Sequence, residues 1–149
     1  MPPPSPLAHR AILRRSLPLG SLLDTRTKIR TAAQAAALRH EAAAGKRPLR
    51  AVTGHFDPLL VEHARLLSEF ARPEAWVVAV VTPSANPLLA VRARAELMAS
   101  LAEVDYVFAA GADEAETILA DLAPEAVLRC EADDVRRTAE LIAHVHSRY

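Results

Sequence analysis

Apolar and polar positions change their spacing several times along the chain, and each change marks an element. From Thr31 to Ala44 the sequence is Ala-rich and free of breakers, which predicts a helix. Thr31 is placed to cap its start, and Gly45 falls at the C′ position. Leu49 to Thr53 reads as a short strand. Val61, Ala64, Leu67 and Ala71 recur at helical spacing, and Pro73 closes that segment. Trp76 to Val81 is an unbroken apolar run, the pattern of a strand buried on both faces of a parallel sheet. Leu89 to Leu101 returns to helical spacing, and Val104 to Phe108 is rich in β-formers. Asp113 to Leu122 predicts a helix capped by Asp113, and Ala126 to Arg129 another short strand. A last helix is expected from Asp133 to about His146.

Helices and strands therefore alternate, with four strands in this reading. Such alternation predicts an α/β domain: a Rossmann-like open parallel sheet of about four to five strands with helices on both faces. Ligands of such sheets bind beyond the carboxyl ends of the strands, near a topological switch point. The loop after the first of these strands, Thr53-Gly54-His55-Phe56-Asp57-Pro58, is thus the place to look for chemistry.

Residues 1–24 differ from the rest. They hold Pro2, Pro3, Pro4, Pro6 and Pro18, and His9, Arg10, Arg14 and Arg15 with no acid before Asp24. Proline at that density opposes helix and ladder alike, so residues 1–24 are expected to be a flexible tail and 25–149 the folded domain. A transit peptide and a docking arm are the alternatives. The chain has 149 residues, one domain by length. Lys plus Arg and Asp plus Glu are 18 each, so no overall basic footprint argues for nucleic acid. Cys130 is the sole cysteine, which excludes an intrachain disulfide. No apolar run reaches the ~18 residues of a membrane span. A soluble, cytoplasmic protein is expected.

The segment Gly54-His55-Phe56-Asp57-Pro58-Leu59-Leu60-Val61-Glu62-His63 resembles the Gly-x-Phe-Asp-x-x-His-x-Gly-His motif of cytidylyltransferase-like, HIGH-motif nucleotidyltransferases. Three further stretches look like the adenylyltransferase domain of ADP-heptose synthases. They are Lys28-Ile29 with Ala35-Ala36-Ala37-Leu38 and Gly45-Lys46; Arg94 to Leu101 with Val104-Asp105-Tyr106-Val107; and Leu122 to Leu128. The resemblance runs from about Asp24 to Arg129. It implies transfer of AMP or CMP from ATP or CTP, with magnesium, to a phosphorylated small molecule such as a sugar phosphate, releasing pyrophosphate. Donors and a helix N-terminus aimed at the phosphates would stabilise the transition state. It assigns His63 as the catalytic imidazole, and Gly54, Phe56, Asp57, His63, Arg94 and Arg129 to the nucleotide site. In the family Asp57 braces the loop, and Gly54 serves a tight turn. A homodimer is in keeping with related enzymes.

The sequence also departs from that pattern. The first motif His is Leu60 and the motif Gly is Glu62. Losing one donor of this kind commonly costs ~3 kcal/mol of barrier. A carboxylate ~4 Å from a phosphate adds ~4 kcal/mol of repulsion at an effective dielectric of 20. An acid in the first helical turn is nonetheless good for the helix itself. The loop Thr82 to Pro87 is short, and Leu128-Arg129-Cys130 stands where the family has Val-Lys-Gly. These changes favour a nucleotidyltransferase fold with impaired or lost transfer and a residual binding or assembly role. An active enzyme using His63 with Arg94 or Arg129 is the alternative, and a Rossmann-like domain with another ligand the third. No metal site is expected, since the spacing of His55, Asp57, Glu62 and His63 matches no common cage.

Overall fold

The computed structural model describes residues 24–149. The expected tail falls on Met1 to Leu23, outside the described residues. Asp24 is described: it caps a 3-10 turn at Thr25–Lys28 through the Arg26 backbone N–H.

Five strands form one all-parallel sheet: β1 (Ile29–Arg30), β2 (Leu49–Gly54), β3 (Trp76–Val81), β4 (Tyr106–Ala109) and β5 (Ala126–Arg129), in the order β1-β4-β3-β2-β5. The helices are α1 (Ala35–Ala44), α2 (Val61–Phe70), α3 (Val91–Ser100), α4 (Glu114–Leu122) and α5 (Glu131–Arg148). This is the expected α/β Rossmann-like fold. The strand that the sequence pattern misses is β1. It has two residues, too few for any periodicity, and exists through its register with β4, Ile29 opposite Val107 and Arg30 opposite Phe108.

The chain moves from β2 to β3 to β4 in one direction, then returns past β2 to place β5 on its other side. Right-handed crossovers require the helices of the two directions to lie on opposite faces, and they do. Leu67 of α2 and Ala95, Met98 and Ala99 of α3 pack on Val77, Ala79 and Val81. Leu38 of α1 and Ile118, Leu119 and Leu122 of α4 pack on Ala51, Val78 and Val80. Strand β3, between them, is buried from Val77 to Val81, as its continuous apolar run requires.

Several helix ends differ from expectation. Thr31 heads a short 3-10 turn, with α1 itself starting at Ala35, and Gln34 makes the capping bond by accepting from the Thr31 N–H at 2.8 Å. At the other end Gly45 has an ordinary negative φ, and Lys46 takes the left-handed conformation at φ 51°. The Lys46 N–H reaches Ala43 O and the Arg47 N–H reaches Ala42 O, so the helix closes in a Schellman turn one residue later than Gly45. Asp113 precedes α4 without a side-chain cap bond, and Glu114 instead accepts from the Gly111 N–H. Helix α5 starts two residues earlier and ends two later than its pattern indicates, ordinary for helix ends.

Candidate functional site

The switch point lies between β2 and β5, and a cavity of about 560 Å³ opens beyond the carboxyl ends of the strands there. His55 follows β2, Thr82 follows β3, Asp113 and Glu116 come from the start of α4, and Arg129 and Glu131 flank the end of β5. His55 Nδ1 and Thr82 Oγ1 are 3.1 Å apart, joining two strand ends. Three carboxylates therefore face one guanidinium. That guanidinium is engaged: Arg129 meets Glu116 at 2.7 and 3.2 Å. The pair holds the Glu116 carboxyl below its usual range and raises Arg129. The cavity is net acidic, a poor setting for a polyphosphate.

The loop behind it is organised around a residue that the sequence pattern does not single out. Asp134, in the first turn of α5, is 2% exposed. Its Oδ2 accepts from the backbone N–H groups of His55 (2.8 Å) and Phe56 (3.1 Å), and its Oδ1 meets His63 Nε2 at 2.6 Å. The other imidazole nitrogen is occupied too. His63 sits at the third position of α2 and Nδ1 accepts from the Leu60 N–H at 2.9 Å. An accepting Nδ1 carries no proton, so the proton is on Nε2 and is donated to Asp134. Leu60 has no side-chain acceptor, so only this return half of a capping box exists. Burial alone would raise the Asp134 carboxyl; the bonds from His63, Phe56 and His55 outweigh it and hold Asp134 below its ordinary value.

Two successive N–H groups and an imidazole N–H converging on one oxyanion make an anion site, and its occupant is the protein's own carboxylate. The backbone is shaped for it. Phe56 adopts φ 47°, a left-handed conformation that is strained for a bulky residue, and it is held there by the bond to Asp134 and by full burial of its ring. Gly54 is needed because a Cβ there would lie 2.6 Å from Asp134 Oδ2 and 2.8 Å from the Phe56 ring. Crowding, rather than the tight turn expected, selects glycine at this position, since its φ is not positive.

The remaining sequence-predicted residues are present around this loop in bracing positions. The Phe56 ring meets His63 edge-on at 5.3 Å within the α2/α3 side of the core. Asp57 accepts from the Leu88 and Leu89 N–H groups at 2.7 and 2.9 Å, fixing the approach to α3. Arg94 is buried, with its guanidinium donating to His55 O, Thr82 O and Leu89 O. Thr138 of α5 donates to Asp57 O at 2.8 Å, and Arg137 Nη1 lies 3.8 Å from Asp134. Of the predicted set, Arg129 alone lines the cavity, while Glu62 is exposed at the start of α2. Cys130 is buried beside this network, and desolvation, with the nearby Asp134 and Glu131 charges, pushes its thiol up to about 11.

Among the described residues no group of three His, Cys, Asp or Glu side chains is placed to hold a metal ion, and no helix is long and apolar enough to cross a membrane. No protein-family model matches the chain, and no curated protein matches it significantly.

Proposed function

We propose that this chain is a nucleotidyltransferase-fold protein, similar to sugar-phosphate adenylyl- and cytidylyltransferases, in which phosphoryl-transfer chemistry is lost or strongly impaired and a binding or assembly role remains. The observation that carries the reading is the Asp134 carboxylate seated on the His55 and Phe56 N–H groups and on His63. These are the donors that a HIGH-type loop would turn toward a phosphate. To reach them, a nucleotide would have to expel a buried, triply bonded carboxylate and then lie beside Asp113, Glu116 and Glu131. The charge it needs from Arg129 is already taken by Glu116. Leu60 and Glu62 point the same way, since neither donates to an oxyanion. The 560 Å³ cavity supports residual binding of a small ligand that is not polyanionic.

The test is thermal unfolding with and without Mg-ATP and Mg-CTP, alongside a pyrophosphate-release assay over a panel of sugar phosphates. A ligand at one hundred times its dissociation constant adds ~2.7 kcal/mol of stability, several degrees in a domain of this size. The expected result is no nucleotide-dependent shift at millimolar concentration and no pyrophosphate above the buffer rate. A shift with one nucleotide, accompanied by pyrophosphate release that requires an acceptor, would overturn the reading and restore the active enzyme.

A further inference from the structure

Two carboxylates of the cavity beyond the strands are uncommitted. Asp113 stands at the N-cap position of α4, where an aspartate ordinarily caps, yet its side chain makes no capping bond. Glu114 serves that turn instead, accepting from the Gly111 N–H. Glu131 opens α5. Neither Asp113 nor Glu131 makes a side-chain hydrogen bond or ion pair among the described residues, whereas Glu116 is held by Arg129. The cavity thus sets three carboxylates against one guanidinium. The starts of α4 and α5 add about half a positive charge each. About one negative charge is left over. No three His, Cys, Asp or Glu side chains among the described residues are placed to hold a metal ion, so the surplus suits an organic cation.

A second observation lies under the cavity floor. Thr53 of β2 is fully buried, and its Oγ1 has no hydrogen-bond partner among the described residues. Directly paired residues of a ladder turn their side chains to the same face of the sheet. Thr53 is paired with Arg129 on one side and Val80 on the other. Arg129 lines the cavity, and so does Thr82, two residues beyond Val80 on the same face. The hydroxyl therefore sits at the base of the cavity, between the Arg129 and Thr82 columns, while the rows below it hold the apolar Ala51 and Val78. A buried hydroxyl without a partner is costly, and valine would fill the same space without that cost. Thr53 is thus placed for a partner from outside the chain. His55 and Thr82, joined at 3.1 Å, add polar groups above it. We propose that the cavity binds a small hydroxylated amine with one positive charge, an amino alcohol or amino sugar. Its ammonium group lies at the Asp113 and Glu131 carboxylates, and its hydroxyls turn toward Thr53, His55 and Thr82. The assignment rests on the reading above that the cavity refuses polyanions, and adds the class of ligand that it takes.

Thermal unfolding of the full chain at pH 7 and constant ionic strength tests it. Glucosamine and ethanolamine are the probes, and N-acetylglucosamine and glucose the uncharged counterparts. The expected result is a saturable rise with a dissociation constant of about 1 mM, reaching about 5 °C at ~30 mM amine. N-acetylglucosamine and glucose should give none. Asp113→Asn and Glu131→Gln should each weaken the amine about fivefold, the scale of one exposed ion pair. Thr53→Val should weaken it about threefold while leaving the ligand-free Tm unchanged or higher. Glu140→Gln, which alters an exposed acid of α5 outside the cavity, should bind as the wild type does. No rise with either amine overturns the proposal. So does an equal rise with N-acetylglucosamine, or full affinity in Asp113→Asn, Glu131→Gln or Thr53→Val. The reading on which it rests fails separately, through a shift with Mg-ATP or Mg-CTP accompanied by pyrophosphate release.

Discussion

Replacing Asp134 with Ala removes the acceptor of three buried or part-buried donors at once: the His55 and Phe56 N–H groups and His63 Nε2. Each unsatisfied buried donor costs ~1–3 kcal/mol, and three lose their acceptor here. Some of the loss is recovered by water, so the variant should lose about 4 kcal/mol. That is a large part of the ~5–15 kcal/mol that holds a domain together, and should lower Tm by roughly 10–15 °C. The same deletion leaves an empty oxyanion hole. Formate or acetate, and inorganic phosphate if the loop yields, should raise the Tm of Asp134→Ala while leaving the wild type unmoved. Asp134→Asn should fall between, because one amide oxygen can still accept from the backbone while the amide NH2 meets the protonated Nε2 of His63 head-on. A pH dependence follows from the lowered Asp134 carboxyl. Its stabilisation is fully present above the unfolded value of ~3.9 and disappears as pH falls through the lower folded value. Urea titrations from pH 7 to pH 3 should show a steeper acid loss in the wild type than in Asp134→Asn. If Asp134→Ala melts within ~1 kcal/mol of the wild type, the carboxylate does not organise this loop, and the argument for an internally occupied anion site fails.

Arg94→Lys should destabilise by about 2–3 kcal/mol in chemical denaturation, since one ammonium cannot span the three carbonyls that the buried guanidinium joins. Cys130, with its thiol near 11, should resist alkylation in the native protein at pH 8 and react on unfolding; rapid labelling followed by mass spectrometry would contradict its burial. Lys46→Gly should raise stability by about 0.5–1 kcal/mol, because residue 46 holds the left-handed position of the α1 cap. Restoring the motif with Leu60→His and Glu62→Gly together should give no nucleotide-dependent thermal shift while Asp134 remains. A gain from that pair alone would mean that the internal carboxylate is not the obstacle.

The sheet was legible because its determinants are local. The apolar run Trp76 to Val81 can hardly be anything but a doubly covered strand, and the cores on its two sides follow from alternation. Strand β1 was not legible, because two residues carry no period and their conformation depends on β4, some eighty positions later. The αL cap at Lys46 was missed for a related reason. Glycine is the cheapest residue there, but the geometry of the turn, with bonds to Ala42 and Ala43, decides which residue stands in it.

The candidate site divides along the same line. The strand–loop–helix context placed the loop directly after β2, and Gly54, Phe56, Asp57, His63 and Arg94 sit around that loop. What each of them touches was decided by α5, whose Asp134 lies 71 residues from His63 in sequence. Asp133 and Asp134 both stand in the first turn of a helix, where an acid has a sufficient local explanation in the helix dipole. That explanation serves Asp133, which is exposed and paired with Arg136. It is incomplete for Asp134, because a few tenths of a kcal/mol from a dipole cannot account for burying a carboxylate. Only the three converging donors can, and they come from a loop bent at Phe56 into a strained conformation to supply them. The strain, the glycine at position 54 and the buried acid are therefore one feature: a loop able to bind an anion that has been given one from its own chain.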